Sequence, residues 1–102
     1  MLILQKNIIK WGVNGEIEIV LQDTSFKLVS DCDDSIVDWL YYDANAYSEI
    51  KEMMLFGKIA ERSKFILDIG ANTGVYSVFA AVKNRSCRIW AFEPYQSNFE
   101  RY

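Results

Sequence analysis

Histidine is absent from the 102-residue chain, which also contains only two cysteines, one proline and five glycines. Without an imidazole, His-dependent triads and His-ligated zinc are excluded, so any general base must be a carboxylate, a lysine or a tyrosine. Cys32 and Cys87 lie far apart and match no metal-ligand spacing, which predicts reduced and mostly buried thiols. We therefore expect a cytoplasmic protein that holds no metal.

The chain also lacks a long apolar segment and an excess of positive charge. Its apolar start at residues 1–4 runs into Gln5 and Lys6 without a cleavage site, and no apolar run approaches the roughly 20 residues that cross a bilayer. The net charge is -3, whereas non-specific nucleic-acid binding requires many basic side chains. The sequence thus predicts no signal peptide, no membrane span and no nucleic-acid partner.

What the chain does contain is apolar residues, which make up 51% of it, and their spacing changes once, near Ser30. Before that point they alternate with polar residues, which predicts a half-buried β-hairpin over residues 1–30 with a turn at residues 23–25. The dipeptide Asn14-Gly15 predicts a second turn, preceded by a strand at residues 8–13. The alternating apolar residues are Ile17, Ile19, Leu21, Phe26 and Leu28.

After Ser30 the apolar spacing becomes helical. The acidic residues and serine at 31–35 predict a helix N-cap, followed by a short helix through Val37 and Leu40. Residues 46–62 place apolar side chains at three- and four-residue steps, which predicts an amphipathic helix.

Residues 65–93 predict one βαβ unit. The apolar run at 65–69 is typical of a strand covered by helices on both faces, and the loop at 70–74 leads into a helical stripe that begins at Val75. A second apolar strand at 87–92 ends at Glu93-Pro94, where proline stops regular pairing. Parallel strands joined by a helix bring the Gly70 loop and Glu93 together at one edge of the sheet.

This arrangement predicts a nucleotide-binding crevice. Glycine lets a ligand approach the backbone, and a strand-end carboxylate such as Glu93 can accept two hydrogen bonds from a ribose diol. A dinucleotide fingerprint requires glycine at positions 70, 72 and 75, but Asn72 and Val75 break it, and no Walker lysine follows. S-adenosylmethionine has no phosphate, and its cationic groups favour carboxylates such as Asp68.

The run from Leu67 to Ser77, together with Ala91-Phe92-Glu93-Pro94 and Asn98, resembles the FkbM family of S-adenosylmethionine-dependent methyltransferases. In that family the Asp-Ile-Gly-Ala-Asn-x-Gly segment is the cofactor loop, and the glutamate of Phe-Glu-Pro holds the ribose. The resemblance therefore implies that the cofactor-binding residues of this chain are Asp68, Gly70, Ala71, Asn72, Gly74 and Glu93. The family pattern also extends loosely to Tyr47 and Glu49, so that Glu49 is either a solvated side chain or a contact at the cofactor's edge.

The resemblance covers roughly residues 30–102 and implies an α/β fold, namely part of a Rossmann-like class I methyltransferase sheet with one βαβ unit. We expect residues 1–30 to form an N-terminal β-hairpin region and residues 31–102 to form the N-terminal half of the cofactor-binding domain. The implied reaction is O-methylation of a hydroxyl on a small molecule such as a sugar or polyketide. No catalytic base can be nominated among residues 1–102, and we expect the chain alone to be inactive.

Two other functions remain open from the sequence. One is a nicotinamide-binding half of a Rossmann-type oxidoreductase, because the βαβ unit alone fits either cofactor class. The other is a non-catalytic interaction module, because a partial sheet leaves an unpaired strand edge through which the chain can self-associate.

Overall fold

The computed structural model describes residues 2–5, 8–11, 14–31, 35–43 and 49–95, and this part of the chain is a mixed α/β structure. The elements in chain order are β1 (Leu2–Gln5), β2 (Ile8–Trp11), β3 (Asn14–Leu21), β4 (Thr24–Asp31), α1 (Ser35–Asp43), α2 (Ile50–Ala60), β5 (Phe65–Ile69), α3 (Val75–Lys83) and β6 (Arg88–Phe92). The strands form an antiparallel β1–β2 pair, an antiparallel β3–β4 pair and a parallel β5–β6 pair.

The predicted hairpin is confirmed as β3 and β4, but both of the predicted turns are wrong. The connection is tighter than expected: Leu21 pairs with Thr24, which leaves Gln22 and Asp23 as the turn, with Gln22 at φ 53°. The pairing also continues to the start of β3, where Asn14 and Gly15 lie opposite β4 instead of forming a turn. β3 and β4 pair at eight positions, from Asn14 with Asp31 to Leu21 with Thr24. The residues expected in the two turns are therefore mostly taken up by this pairing as strand residues.

Both predicted helices are present. α1 contains Val37 and Leu40, while the expected capping residues 32–34 lie outside the described residues. α2 begins at Ile50, later than the predicted start, and residues 46–48 also lie outside the described part. Among the described residues, no helix has the length and apolar character that a bilayer span requires.

The hairpin and the three helices share one core. One face of β3–β4 packs against α1 and α3, and the rings of Phe26 and Phe79 lie 5.4 Å apart between centroids. α2 packs on α3, where Gly57 permits close approach because an added Cβ would lie 2.9 Å from Phe79 Cε1. The buried members of this core are Ile19, Leu21, Phe26, Leu28, Val37, Leu40, Met53, Val75 and Phe79.

The predicted strand–helix–strand order at residues 65–92 is confirmed, and β5 and β6 are parallel, with Asp68 opposite Ala91 and Ile69 opposite Phe92. The expectation that helices cover both faces is wrong for the described residues. α3 lies against one face, whereas the other, here called the outer face, stays 47–80% exposed because no described element packs on it. The large apolar residues of the outer face are Phe65, Leu67, Ile69, Trp90 and Phe92, and Arg88 lies on the same face at the amino end of β6.

Candidate cofactor site

The loop at residues 70–74 connects β5 to α3 through an unusual backbone path. Gly70, Asn72 and Gly74 have positive φ values of 75°, 54° and 82°, a region that glycine enters freely and asparagine tolerates better than most residues. The N–H groups of Gly70 and Ala71 both donate to the carbonyl oxygen of Phe92, at 2.8 and 3.0 Å. The loop is therefore attached by its backbone to the carboxyl end of β6.

Glu93, the first residue after β6, forms a second attachment. Its Oε2 accepts a hydrogen bond of 2.7 Å from the backbone N–H of Asn72, and its Oε1 accepts one of 2.7 Å from the backbone N–H of Tyr95. The predicted juxtaposition of the Gly70 loop and Glu93 is thus present, across 21 positions of sequence. A carboxylate offers about four lone-pair sites, so these two bonds leave capacity for a ribose diol.

Asp68 lies one residue before the end of β5, on the side that faces α3. Its Oδ2 accepts a hydrogen bond of 2.6 Å from the Ser77 hydroxyl, which lies in the first turns of α3. The residues 68 and 77 thereby join the strand to the helix across the loop. The bond is partly buried, where a charge-assisted hydrogen bond is shorter and stronger than one between neutral groups.

Glu49, at the N-cap position of α2, brings a third carboxylate to the same segment. Its Oε2 accepts a hydrogen bond of 3.1 Å from the hydroxyl of Tyr76, the neighbour of Ser77. The sequence indicates no individual role for Tyr76 or Ser77, although both lie within the run that carries the resemblance. Only the folded chain shows that their hydroxyls meet Glu49 and Asp68, which are 27 and 9 positions away.

The carboxyl end of β5–β6 is consequently acidic. No lysine or arginine occurs between residues 65 and 82. Lys83, at the opposite end of α3, pairs with Glu61 at 2.9 Å, and Arg88 is at the amino end of β6. Lys27 of β4 lines a cavity that reaches Gly74 and Ser77, and it pairs with Glu16 at 2.8 Å. Among the described residues, neither Asp68 nor Glu93 forms an ion pair with a lysine or arginine. Such carboxylates disfavour a pyrophosphate and favour a ligand that carries positive charge.

The first turn of α3 supplies the complementary feature. Its N-cap residue, Gly74, has no side chain to cap the helix, and the backbone N–H groups at a helix N-terminus carry partial positive charge. An anionic group as small as one carboxylate matches such a position. The N-terminus of α3 therefore begins beside the loop whose neighbours are the carboxylates of Asp68, Glu93 and Glu49.

A separate cavity of about 390 Å³ lies on the α3 side of the sheet, between β4, α3 and β6. Its walls include Leu28, Val78 and Ile89 and are mainly apolar. It touches the loop at Thr73 and Gly74 and is lined by Ser77, the hydrogen-bond donor to Asp68, but not by Asp68 or Glu93 themselves. The cavity therefore adjoins the loop on the α3 side of the sheet.

No protein-family model matches the chain, and neither the curated proteins nor the solved structures contain a significant match. Among the described residues, no group of three or more acidic or cysteine side chains is arranged to hold a metal ion. Tyr47 and Asn98, which also belong to the sequence resemblance, lie outside the described part.

Proposed function

We propose that the chain binds S-adenosylmethionine and belongs to a methyltransferase of the Rossmann-like class I type. The observation that supports this most strongly is the 2.7 Å hydrogen bond from the Asn72 N–H to Glu93 Oε2. It joins a glycine-containing loop and a strand-end carboxylate at the carboxyl edge of a parallel strand pair, which is where nucleoside ligands bind in such sheets.

The proposed roles follow from the charges of the ligand. Glu93 accepts hydrogen bonds from the ribose diol, and the backbone of residues 70–74, including Ala71 and Asn72, lies along the methionine part of the cofactor. The carboxylate of that part faces the N-terminus of α3, and its ammonium group faces Asp68. The carboxylate and the ammonium group of the ligand's amino-acid part are thereby each matched by a group of opposite charge.

The proposed reaction is the attack of an acceptor hydroxyl oxygen on the sulfonium methyl group. The C–O bond forms as the C–S bond breaks, S-adenosylhomocysteine leaves as a neutral thioether, and the proton of the acceptor hydroxyl is released to solvent. The described residues position the cofactor for this displacement, and we assign no proton transfer to them. The acceptor class we propose is a hydroxyl on a sugar or polyketide, and a cytoplasmic setting remains part of the proposal.

Nicotinamide dinucleotide is the competing ligand, and its pyrophosphate would lie beside Asp68 and Glu93. Calorimetric titration of the purified chain with S-adenosylhomocysteine and with NAD separates the two proposals. We expect binding of S-adenosylhomocysteine only. Tighter binding of NAD would overturn the methyltransferase proposal in favour of an oxidoreductase.

The matched variants are Glu93→Gln and Glu52→Gln. Glu93→Gln removes the charge of a carboxylate that holds the loop and the ribose, so we expect about tenfold weaker binding of S-adenosylhomocysteine. Glu52 is an exposed side chain of α2 and serves as the control for the charge change alone. Equal affinity of the two variants would contradict the role proposed for Glu93.

A further inference from the structure

The contact between Asp68 and Ser77 has a consequence for ligand binding. Asp68 belongs to β5 and Ser77 to α3, so their 2.6 Å hydrogen bond spans the whole loop at residues 70–74. A carboxylate on a short side chain rotates unless a partner fixes it. The Ser77 hydroxyl, which donates to Oδ2, removes that freedom and leaves Oδ1 outside the bond.

The position of Ser77 makes this orientation relevant to the ligand. Ser77 is the third residue of α3 and lies in its first turn, while Asp68 precedes the first glycine of the loop by two positions. Both groups thus flank the backbone segment to which the proposed function assigns the amino-acid part of the cofactor. Glu93, which is assigned the ribose, is held separately by the backbone of Asn72 and Tyr95.

We infer that Ser77 is a positioning residue, which fixes the Asp68 carboxylate so that it receives the ammonium group of an amino-acid-bearing nucleoside. This inference rests on the proposed function. It adds that different residues of the site bind different ends of the ligand. Ser77 and Asp68 select the aminoacyl end of the ligand, whereas Glu93 selects its ribose. Loss of the Ser77 hydroxyl therefore weakens ligands with an ammonium group and leaves simple nucleosides unaffected.

Two probes separate these ends of the ligand. S-adenosylhomocysteine carries the aminoacyl group, and 5′-deoxy-5′-methylthioadenosine has the same adenosine and thioether without it. For Ser77→Ala in the full chain, we expect about fivefold to tenfold weaker binding of S-adenosylhomocysteine and unchanged binding of methylthioadenosine. Ser77→Thr, which keeps the hydroxyl, should restore affinity.

The control variant is Ser25→Ala, since Ser25 also donates its hydroxyl to a carboxylate, Glu18 Oε1 at 2.5 Å, but in the β3–β4 hairpin. Its affinities should match those of the wild type. A double variant with Asp68→Asn tests the mechanism, because Ser77→Ala should have no further effect once the carboxylate is gone.

The outcomes distinguish this inference from the proposed function. If the wild type binds S-adenosylhomocysteine but Ser77→Ala binds it equally well, or loses both probes equally, the positioning role is overturned and the proposed function stands. If the wild type binds neither probe, the proposed function fails and this inference fails with it.

Discussion

The antiparallel β3–β4 pair and the parallel β5–β6 pair expose very different surfaces. On the hairpin, the inward side chains are buried, whereas the outward ones include an ion pair between Lys27 and Glu16 at 2.8 Å. On the parallel pair, both faces carry apolar side chains, and Ile69 on the outer face is 80% exposed. The hairpin has the composition of a sheet with one solvated face, and the parallel pair has that of a sheet covered on both.

The residues that stabilise the chain and the residues of the candidate site therefore lie in different parts of the structure. The core joins the hairpin to the three helices, so most of the apolar burial lies away from the loop at residues 70–74. The candidate site lies at the edge of the parallel pair, held by individual hydrogen bonds to Asp68 and Glu93. Substitutions in the core should therefore affect unfolding, and substitutions in the site should affect binding.

The largest effect is expected for Phe79→Ala. Phe79 is 2% exposed and contacts Phe26, so its truncation should lower the free energy of unfolding by about 3–5 kcal/mol through lost burial and a cavity. Phe92→Ala is the matched variant, because Phe92 is 50% exposed on the outer face, and it should cost about 1 kcal/mol or less. Urea unfolding measures both.

Similar losses of unfolding free energy in the two phenylalanine variants would contradict the difference between the buried core and the exposed outer face. A large loss for Phe92→Ala would show that the outer face is covered in solution by something other than water. A small loss for Phe79→Ala would place the stabilising core elsewhere.

Self-association is the next expected effect. In the described part of the chain no third strand pairs with β5 or β6, so their edges and the outer face together offer backbone groups and apolar side chains for contact with another molecule. Trp90→Glu, at the centre of that face, should weaken self-association about tenfold or more, which corresponds to about 1.4 kcal/mol, as measured by sedimentation equilibrium. Val20→Glu, an equally exposed apolar position on the hairpin, is the control. If both variants lose self-association equally, the association depends on exposed apolar side chains in general and not on the outer face.

A smaller effect is expected at the contact of α2 with α3. Gly57→Ala places a methyl group 2.9 Å from the ring of Phe79, and the resulting shift should outweigh the gain in helix propensity by about 1 kcal/mol. Leu55→Ala, on the exposed side of the same helix, should have little effect on the unfolding free energy. A stabilised Gly57→Ala variant would show that the two helices separate at no cost.

The smallest effect is expected for the ion pair of Lys83 with Glu61. The hydrogen bond from Lys83 to Glu61 raises the pKa of Lys83 above its ordinary value of 10.5. The stabilisation is complete below pH 10.5 and is lost as the pH rises through the higher pKa of the folded state. Lys83→Met should cost about 0.5 kcal/mol at pH 7. Thermal unfolding of the wild type and of Lys83→Met from pH 8 to 12 should show their stability difference shrink. A difference that stays constant over this range would show that Lys83 stabilises the fold by packing and not by its charge.

Much of this fold follows from the spacing of apolar residues. The alternation from Ile17 to Leu28 predicts the hairpin, and the apolar runs on either side of the Gly70 loop predict β5 and β6. The turns were misplaced because Asn14-Gly15 and residues 23–25 favour turns locally, whereas cross-strand pairing over eight positions decides where β3 and β4 end. Local preference is weaker than the hydrogen bonds of a paired strand.

The part of the candidate site that lies in short, contiguous segments could be predicted from the sequence. The loop glycines and Glu93 follow from the glycine-containing loop after one apolar run, the end of the next run and the family resemblance, so they could be named from the sequence. The hydroxyls of Tyr76 and Ser77 could not, because their partners Glu49 and Asp68 depend on how α2 and β5 pack against α3. Contacts between elements require the tertiary structure, which apolar spacing alone does not provide.

The most direct test of the account is a titration of ¹⁵N-labelled chain with S-adenosylhomocysteine, followed by amide chemical shifts. The account predicts that the amides of Gly70, Asn72 and Tyr95 shift together with one dissociation constant, while those of the hairpin, such as Lys27, stay unchanged. Shifts confined to the hairpin, or shifts at Asn72 without any at Tyr95, would contradict a single site formed by the loop and Glu93.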